Sequence, residues 1–129
     1  MEYRNQITWI VIGKDRNKKF SEQNIILLDN TELITKQLLY GDVIAEELKK
    51  LSDEYLKYNE KFVSKELVDI NSINKDGIIS ELVYLSVVNY IPNLNKKGTF
   101  YTLEEIETRD ILIHERYGKH IRRKCSSLW

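Results

Sequence analysis

Ile7-Thr8-Trp9-Ile10-Val11-Ile12, followed by Gly13, is the stretch on which the fold turns. β-Branched and aromatic residues occupy both alternating sets of positions, so an extended chain here has no polar face. Such a strand belongs inside a sheet that is covered on both sides. Beyond the charged turn Lys14 to Lys19 lies a second short apolar run, Asn24 to Leu28, closed by Asp29-Asn30. The two runs are expected to form a hairpin or neighbouring strands.

From Asp42 to about Tyr58 the period changes. Ile44, Leu48, Leu51 and Tyr55 recur at three and four residues while Glu46, Lys49, Lys50, Ser52, Asp53 and Lys57 fall between them. This predicts an amphipathic helix, with Asp42 as N-cap and Glu46 and Lys50 as an i,i+4 pair. The preceding Thr31 to Tyr40 is ambiguous, because Leu33, Ile34, Leu38 and Leu39 also suit a short helix. Phe62 to Ile70 reads as a strand, Asn71 to Gly77 as a turn ending in Asp-Gly, and Ile78 to Ile91 as a long strand stopped by Pro92, so a hairpin is expected. Thr99-Phe100-Tyr101 follows as a short strand, and Thr102 with Glu105 has the spacing of a capping box. A last helix is expected from about Thr108 to Arg123, with Ile113, Tyr117 and Ile121 on one face and Gly118 as a weak point.

The order is strand, strand, helix, hairpin, short strand, helix. It predicts a mixed-sheet α/β sandwich with a helix on each face. The 129 residues make a single domain, 1–129, ending in a basic helix and tail over about 108–129. With 42% hydrophobic and 31% charged residues the chain has a core to bury, which excludes disordered and collagen-like classes. Twenty basic residues against twenty acidic ones remove any global attraction to nucleic acid or to an anionic membrane. No apolar run is long enough to span a bilayer, and Met1 to Gln6 lacks the features of a signal peptide, so a cytoplasmic protein is expected. The one cysteine, Cys125, is placed in a polar tail and makes no internal disulfide. Ala45 is the sole alanine amid abundant Ile, Asn, Lys and Tyr, the usage of an AT-rich bacterium or of its phage or mobile element.

Carboxylates four and five positions apart on a helix gather at one edge, where they can hold Mg²⁺ against a diphosphate. Gly41-Asp42 and the helix after it resemble a degenerate Nudix box. The full box places Gly-Glu before a helix carrying Arg-Glu-(apolar)-x-Glu-Glu. In the resemblance Gly41-Asp42 stand at the Gly-Glu, Lys49 at the Arg, Leu51 at the apolar position and Asp53-Glu54 at the final acidic pair. Three departures matter: Lys50 stands where the family has a metal-binding Glu, one residue is missing before Lys49, and Leu56 replaces the closing Gly. Elsewhere Ile25 to Leu28 resembles the second Nudix strand, Asn74 to Val88 the hairpin after the helix, and Phe100 to Ile106 the family's late aromatic and acidic turn.

The resemblance implies a Nudix-like α/β/α sandwich and a nucleotide-type ligand such as ADP-ribose. It leaves Asp53 and Glu54 as the carboxylates for a Mg²⁺ cofactor. A lysine in place of an acid repels the ion, so hydrolysis is expected to be crippled or absent. Lys49 and Lys50, with Arg109 or Arg116, would meet the phosphates, and Tyr84 or Phe100 would lie against the base. Two other readings stand beside this one: a protein-interaction or inhibitor module with a filled pocket, and an active hydrolase that draws its third acid from elsewhere, for instance Glu81.

Arg109 and His114 resemble the Arg-x4-His motif of HEPN ribonucleases, but that family is all-helical, whereas strands dominate here. Arg116, Lys119, His120, Arg122, Arg123 and Lys124 form a basic run that would attract a phosphate locally or offset a helix dipole. Trp129 would staple the tail to the body or fray in solvent. Neither Ser21 nor Cys125 has a triad around it.

Overall fold

The computed structural model describes residues 3–14, 24–57, 62–74, 78–91 and 93–127. Residues 15–19 of the first expected turn, 75–77 of the second, Pro92, the end of the first helix at Tyr58, Ser21 and Trp129 lie outside those residues; Asn71 to Asn74, expected to open the second turn, instead continue the strand that begins at Phe62. Strand β1 (Tyr3–Lys14) contains the doubly apolar run and is the inner strand that the run requires. It pairs in parallel with β5 (Ile78–Asn89) from Tyr3–Ile78 to Lys14–Asn89. Its other edge is shared: β3 (Ile34–Leu38) pairs antiparallel with Asn5 to Trp9, and β2 (Asn24–Leu28) with Ile12 to Lys14. β4 (Phe62–Asn74) forms the expected hairpin with β5, and β6 (Thr99–Thr102) pairs with β2. The sheet is six-stranded and mixed, in the order β4-β5-β1-β2-β6, with β3 beside β1.

Alternation along β1 divides the core. Ile7, Trp9 and Val11 pack on one face against Leu48, Leu51 and Tyr55 of helix α1 (Ile44–Tyr55). Ile10 and Ile12 pack on the other against Ile121 and Cys125 of helix α3 (Glu115–Ser127), together with Leu103 and Ile106 of the short helix α2 (Leu103–Thr108). This is an α/β/α sandwich. Each fully buried large side chain removes roughly 2 kcal/mol worth of apolar surface from water, so the two clusters together outweigh any single polar contact. No helix among the described residues is long and apolar enough to cross a membrane.

Five further local expectations are corrected. Ile34 to Leu38 is a strand, its apolar spacing overridden by pairing with β1. Val43, not Asp42, caps α1, and the Asp42 carboxylate instead accepts the Leu39 N–H at 2.7 Å. Lys50 pairs with Glu47 at i,i+3 rather than with Glu46. The last helix begins at Glu115 rather than at Thr108, because Asp110 adopts φ 52° and ends α2. There the Ile111 N–H bonds to Ile106 O at 3.0 Å and the Asp110 N–H to Glu107 O at 3.3 Å, a Schellman closure with Asp in the position that glycine usually takes. Finally, Cys125 is buried against the sheet, and burial pushes its thiol up to about 11. The capping box is present in both halves, Glu105 N–H to Thr102 Oγ1 and Thr102 N–H to Glu105 Oε1.

Two backbone sites predict opposite effects of substitution. Asp29 and Glu32 close a tight turn whose central residues, Asn30 (φ 49°) and Thr31 (φ 67°), both lie in the left-handed region. That is the type I′ pattern, which favours Asn-Gly and penalises a β-branched residue. Thr31→Gly should raise stability by about 1 kcal/mol. Gly98 (φ 80°) has Leu28 O only 2.7 Å from where a Cβ would stand. Gly98→Ala should therefore cost about 2 kcal/mol or more. Urea midpoints of the two variants, moving in opposite directions from the parent, are the check.

Candidate functional site

Helix α1 presents Leu48, Leu51 and Tyr55 to the sheet and leaves Glu46, Lys49, Lys50, Asp53 and Glu54 exposed. Glu47 breaks this division. Its side chain is only 5% exposed, yet it carries a carboxylate, held by Lys36 Nζ from β3 at 2.5 Å and Lys50 Nζ at 3.0 Å. Hydrogen bonds from Lys36 and then Lys50 outweigh its desolvation and hold its carboxyl below the usual range. Glu47 in turn raises Lys50. Lys50, the residue at the metal-ligand position of the resemblance, is thus an ion-pair partner within its own helix.

The far end of α1 is also wired with lysines. Lys97 Nζ lies 3.0 Å from Glu54, 3.8 Å from Asp29 and 5.1 Å from the Tyr55 ring centre. Lys96 Nζ donates to the Asp53 carbonyl at 2.9 Å, so both lysines sit where the helix dipole favours positive charge. Tyr55 donates its hydroxyl to Asp29 at 2.5 Å, and burial together with that carboxylate pushes the phenol up to about 12. The acids offered to a metal, Asp53 and Glu54, therefore stand beside ammonium groups. Among the described residues no group of three or more His, Cys, Asp or Glu side chains is arranged to hold a metal ion.

Tyr84 and Phe100 are half-buried against the same apolar cluster as α1, Phe100 meeting Tyr90 edge-on with ring centres 5.1 Å apart. Lys49, Lys50, Tyr84 and Phe100 thus belong to one layer of the sandwich. Arg109 and Arg116 belong to the other. Arg109 ends α2, 3.7 Å from Glu105 and above the Tyr101 ring at 5.9 Å. Arg116 donates to the Tyr117 hydroxyl at 2.7 Å and lies 3.9 Å from Glu81. The structure does not bring these arginines to α1.

Glu81 is the most enclosed acid among the described residues, with 0% exposure. It faces the α3 layer, on the opposite side of the sheet from α1. Its carboxylate accepts hydrogen bonds from the hydroxyls of Thr8 and Tyr117 at 2.5 Å each and from Asn71 at 3.1 Å. Burial alone would raise it, but these donors, with Arg116, hold it below the usual carboxylate range. A lone acid inside the apolar run Ile78 to Ile91 was the signal for it. Part of the basic run ties the helix to the sheet, His120 meeting Asp69 at 2.9 Å and Lys124 meeting Glu66 at 2.9 Å, whereas Lys119, Arg122 and Arg123 are exposed, Arg122 lying 3.6 Å from Glu115 of its own helix. Arg109 and His114 do not share a helix, since α2 ends at Thr108 and α3 starts at Glu115, which removes the geometry of the ribonuclease motif.

No protein-family model matches the chain, and no curated protein matches it in sequence. Solved structures do. A candidate Nudix hydrolase of Listeria monocytogenes superposes with a TM-score of 0.61 at 13% identity, over 95% of this chain and 92% of its own. The Nudix domain of Shewanella oneidensis NrtR, complexed with ADP-ribose, gives 0.58 at 10% identity over 100% and 90%. A bifunctional NMN adenylyltransferase/ADP-ribose pyrophosphatase of Francisella tularensis, complexed with AMP and a manganese ion, gives 0.61 at 15% identity over 96% of this chain and 42% of that one. The fold is Nudix-like, as the resemblance in sequence implied.

The Glu81 cage yields a pH prediction. Because the folded-state pKa of Glu81 is depressed, its contribution is present above the unfolded value of about 4.3 and is lost as pH falls through the lowered value. Asp69, held down chiefly by His120, acts in the same direction. Glu81→Gln should cost about 2–3 kcal/mol at neutral pH, and the deficit should shrink toward pH 3. Urea unfolding from pH 3 to 7 checks this, and a deficit independent of pH would contradict it.

Proposed function

We propose that this chain is a non-hydrolysing, Nudix-like binder of a nucleotide-type molecule such as ADP-ribose. The observation that carries the reading is Lys50: a fixed positive charge, 3.0 Å from Glu47, stands where the resemblance requires a magnesium ligand. Lys49 and Lys50 meet the phosphate end, and Tyr84 or Phe100, in the same layer, meets the base. Asp53 and Glu54 are two carboxylates on residues contacted by Lys96 and Lys97, too few to retain a catalytic ion. Arg109 and Arg116 serve α2 and α3 instead. Support comes from structural neighbours complexed with ADP-ribose and with AMP.

Thermal unfolding with and without ADP-ribose tests the reading. At about ten times Kd the ligand stabilises by about 1.4 kcal/mol, which raises Tm by several degrees. Incubation with ADP-ribose and Mg²⁺ should release no AMP above the protein-free blank. AMP release would instead establish the hydrolase reading, and the absence of a shift across a nucleotide panel would remove the small-ligand reading in favour of a protein partner.

A further inference from the structure

Lys36 was not singled out by any motif, and its place follows only from the pairing of β3 with β1. That pairing brings its ammonium to Glu47 from the strand side, while Lys50 approaches from the helix side. The carboxylate between them is 5% exposed, whereas the lysine side chains are 33% and 64% exposed. A buried anchor thus fixes two cations whose outer parts reach water. Each ammonium has three N–H donors, and one contact to Glu47 leaves further donors for a second acceptor.

We propose that Lys36 and Lys50 form a two-lysine clamp for a diphosphate, anchored by Glu47, so that the ligand's phosphates are held without a divalent metal. The inference rests on the reading that this helix meets a phosphate-bearing ligand and adds how the charge is met. The triad carries one net positive charge, and Lys49 lies next to it on the exposed side of α1. Two exposed carboxylates, Asp42 and Glu46, also act on Lys50, and Asp42 accepts the Leu39 N–H, so it is through Lys36, Lys49 and Lys50 together that the face meets an anion. A metal ion at Glu47 would have to expel both ammonium groups. A phosphate oxygen need only add to them. Glu47 is a positioning residue here: without its carboxylate the two long side chains lose their shared anchor.

Calorimetric titration of inorganic pyrophosphate and of ADP-ribose, each in EDTA and in MgCl₂, tests the clamp on the parent chain and on Lys36→Gln and Lys36→Arg. Binding of both ligands in EDTA is expected, with pyrophosphate about tenfold weaker in Lys36→Gln and largely restored in Lys36→Arg. Melting of each variant without ligand separates lost binding from lost folding, and Lys36→Arg keeps the charge if Lys36→Gln unfolds. ADP-ribose binding that requires Mg²⁺, or that is equal in Lys36→Gln and the parent, would overturn the clamp while leaving the binder intact. Pyrophosphate bound in EDTA without any affinity for ADP-ribose would uphold the clamp and overturn the nucleotide reading. Failure of both ligands in both buffers would overturn the two together.

Discussion

Everything in this architecture answers to a strand that has no face it can show to water. Ile7, Trp9 and Val11 on one side of β1, and Ile10 and Ile12 on the other, demand cover from two layers. The parallel partner β5 meets the same demand, which requires a crossover rather than a hairpin between them. That crossover supplies α1 and the edge strand β4. The polar groups trapped in the sheet are satisfied by one another: Thr8 by Glu81, and the Trp9 indole N–H by the Ser86 hydroxyl at 3.0 Å.

The two covering layers use different physics. α1 is seated by Leu48, Leu51 and Tyr55 and keeps most of its charges outward. α3 buries Ile121 and Cys125 and is otherwise tied down by polar contacts, Tyr117 to Glu81, His120 to Asp69 and Lys124 to Glu66, all on the β4–β5 hairpin. Residues 117, 120 and 124 recur at helical spacing, so one stripe of the basic run faces the sheet. Arg116, His120 and Lys124 of the basic run thus reach the sheet, while Lys119, Arg122 and Arg123 stay on the exposed side of the helix.

Much of the fold was legible because periodicity is local. β1, the β4–β5 hairpin, α1 and the capping box at Thr102 all follow from spacing and turn chemistry. The failures have particular causes. Leu33, Ile34, Leu38 and Leu39 have helical spacing, and only their long-range partner, β1, makes the segment a strand. Asp110 ends a helix in a conformation where glycine would have announced the stop. On α1, the lysine at position 50 could be read directly, whereas the contribution of Lys36 could not, because its contact with Glu47 exists only once β3 has found β1. Arg109 and Arg116 failed to join α1 for the related reason that sequence order does not say on which side of a sheet a helix lands.

The irregularities in β4 matter beyond this one molecule. A thirteen-residue outer strand with Leu67 and Ile70 exposed is the sort of open rim along which identical chains stack into fibres. Its ladder with β5 slips between Phe62 and Ser64 and again between Leu67 and Asp69, so the rim is kinked beside those apolar side chains. A kinked rim makes a poor template for a straight newcomer.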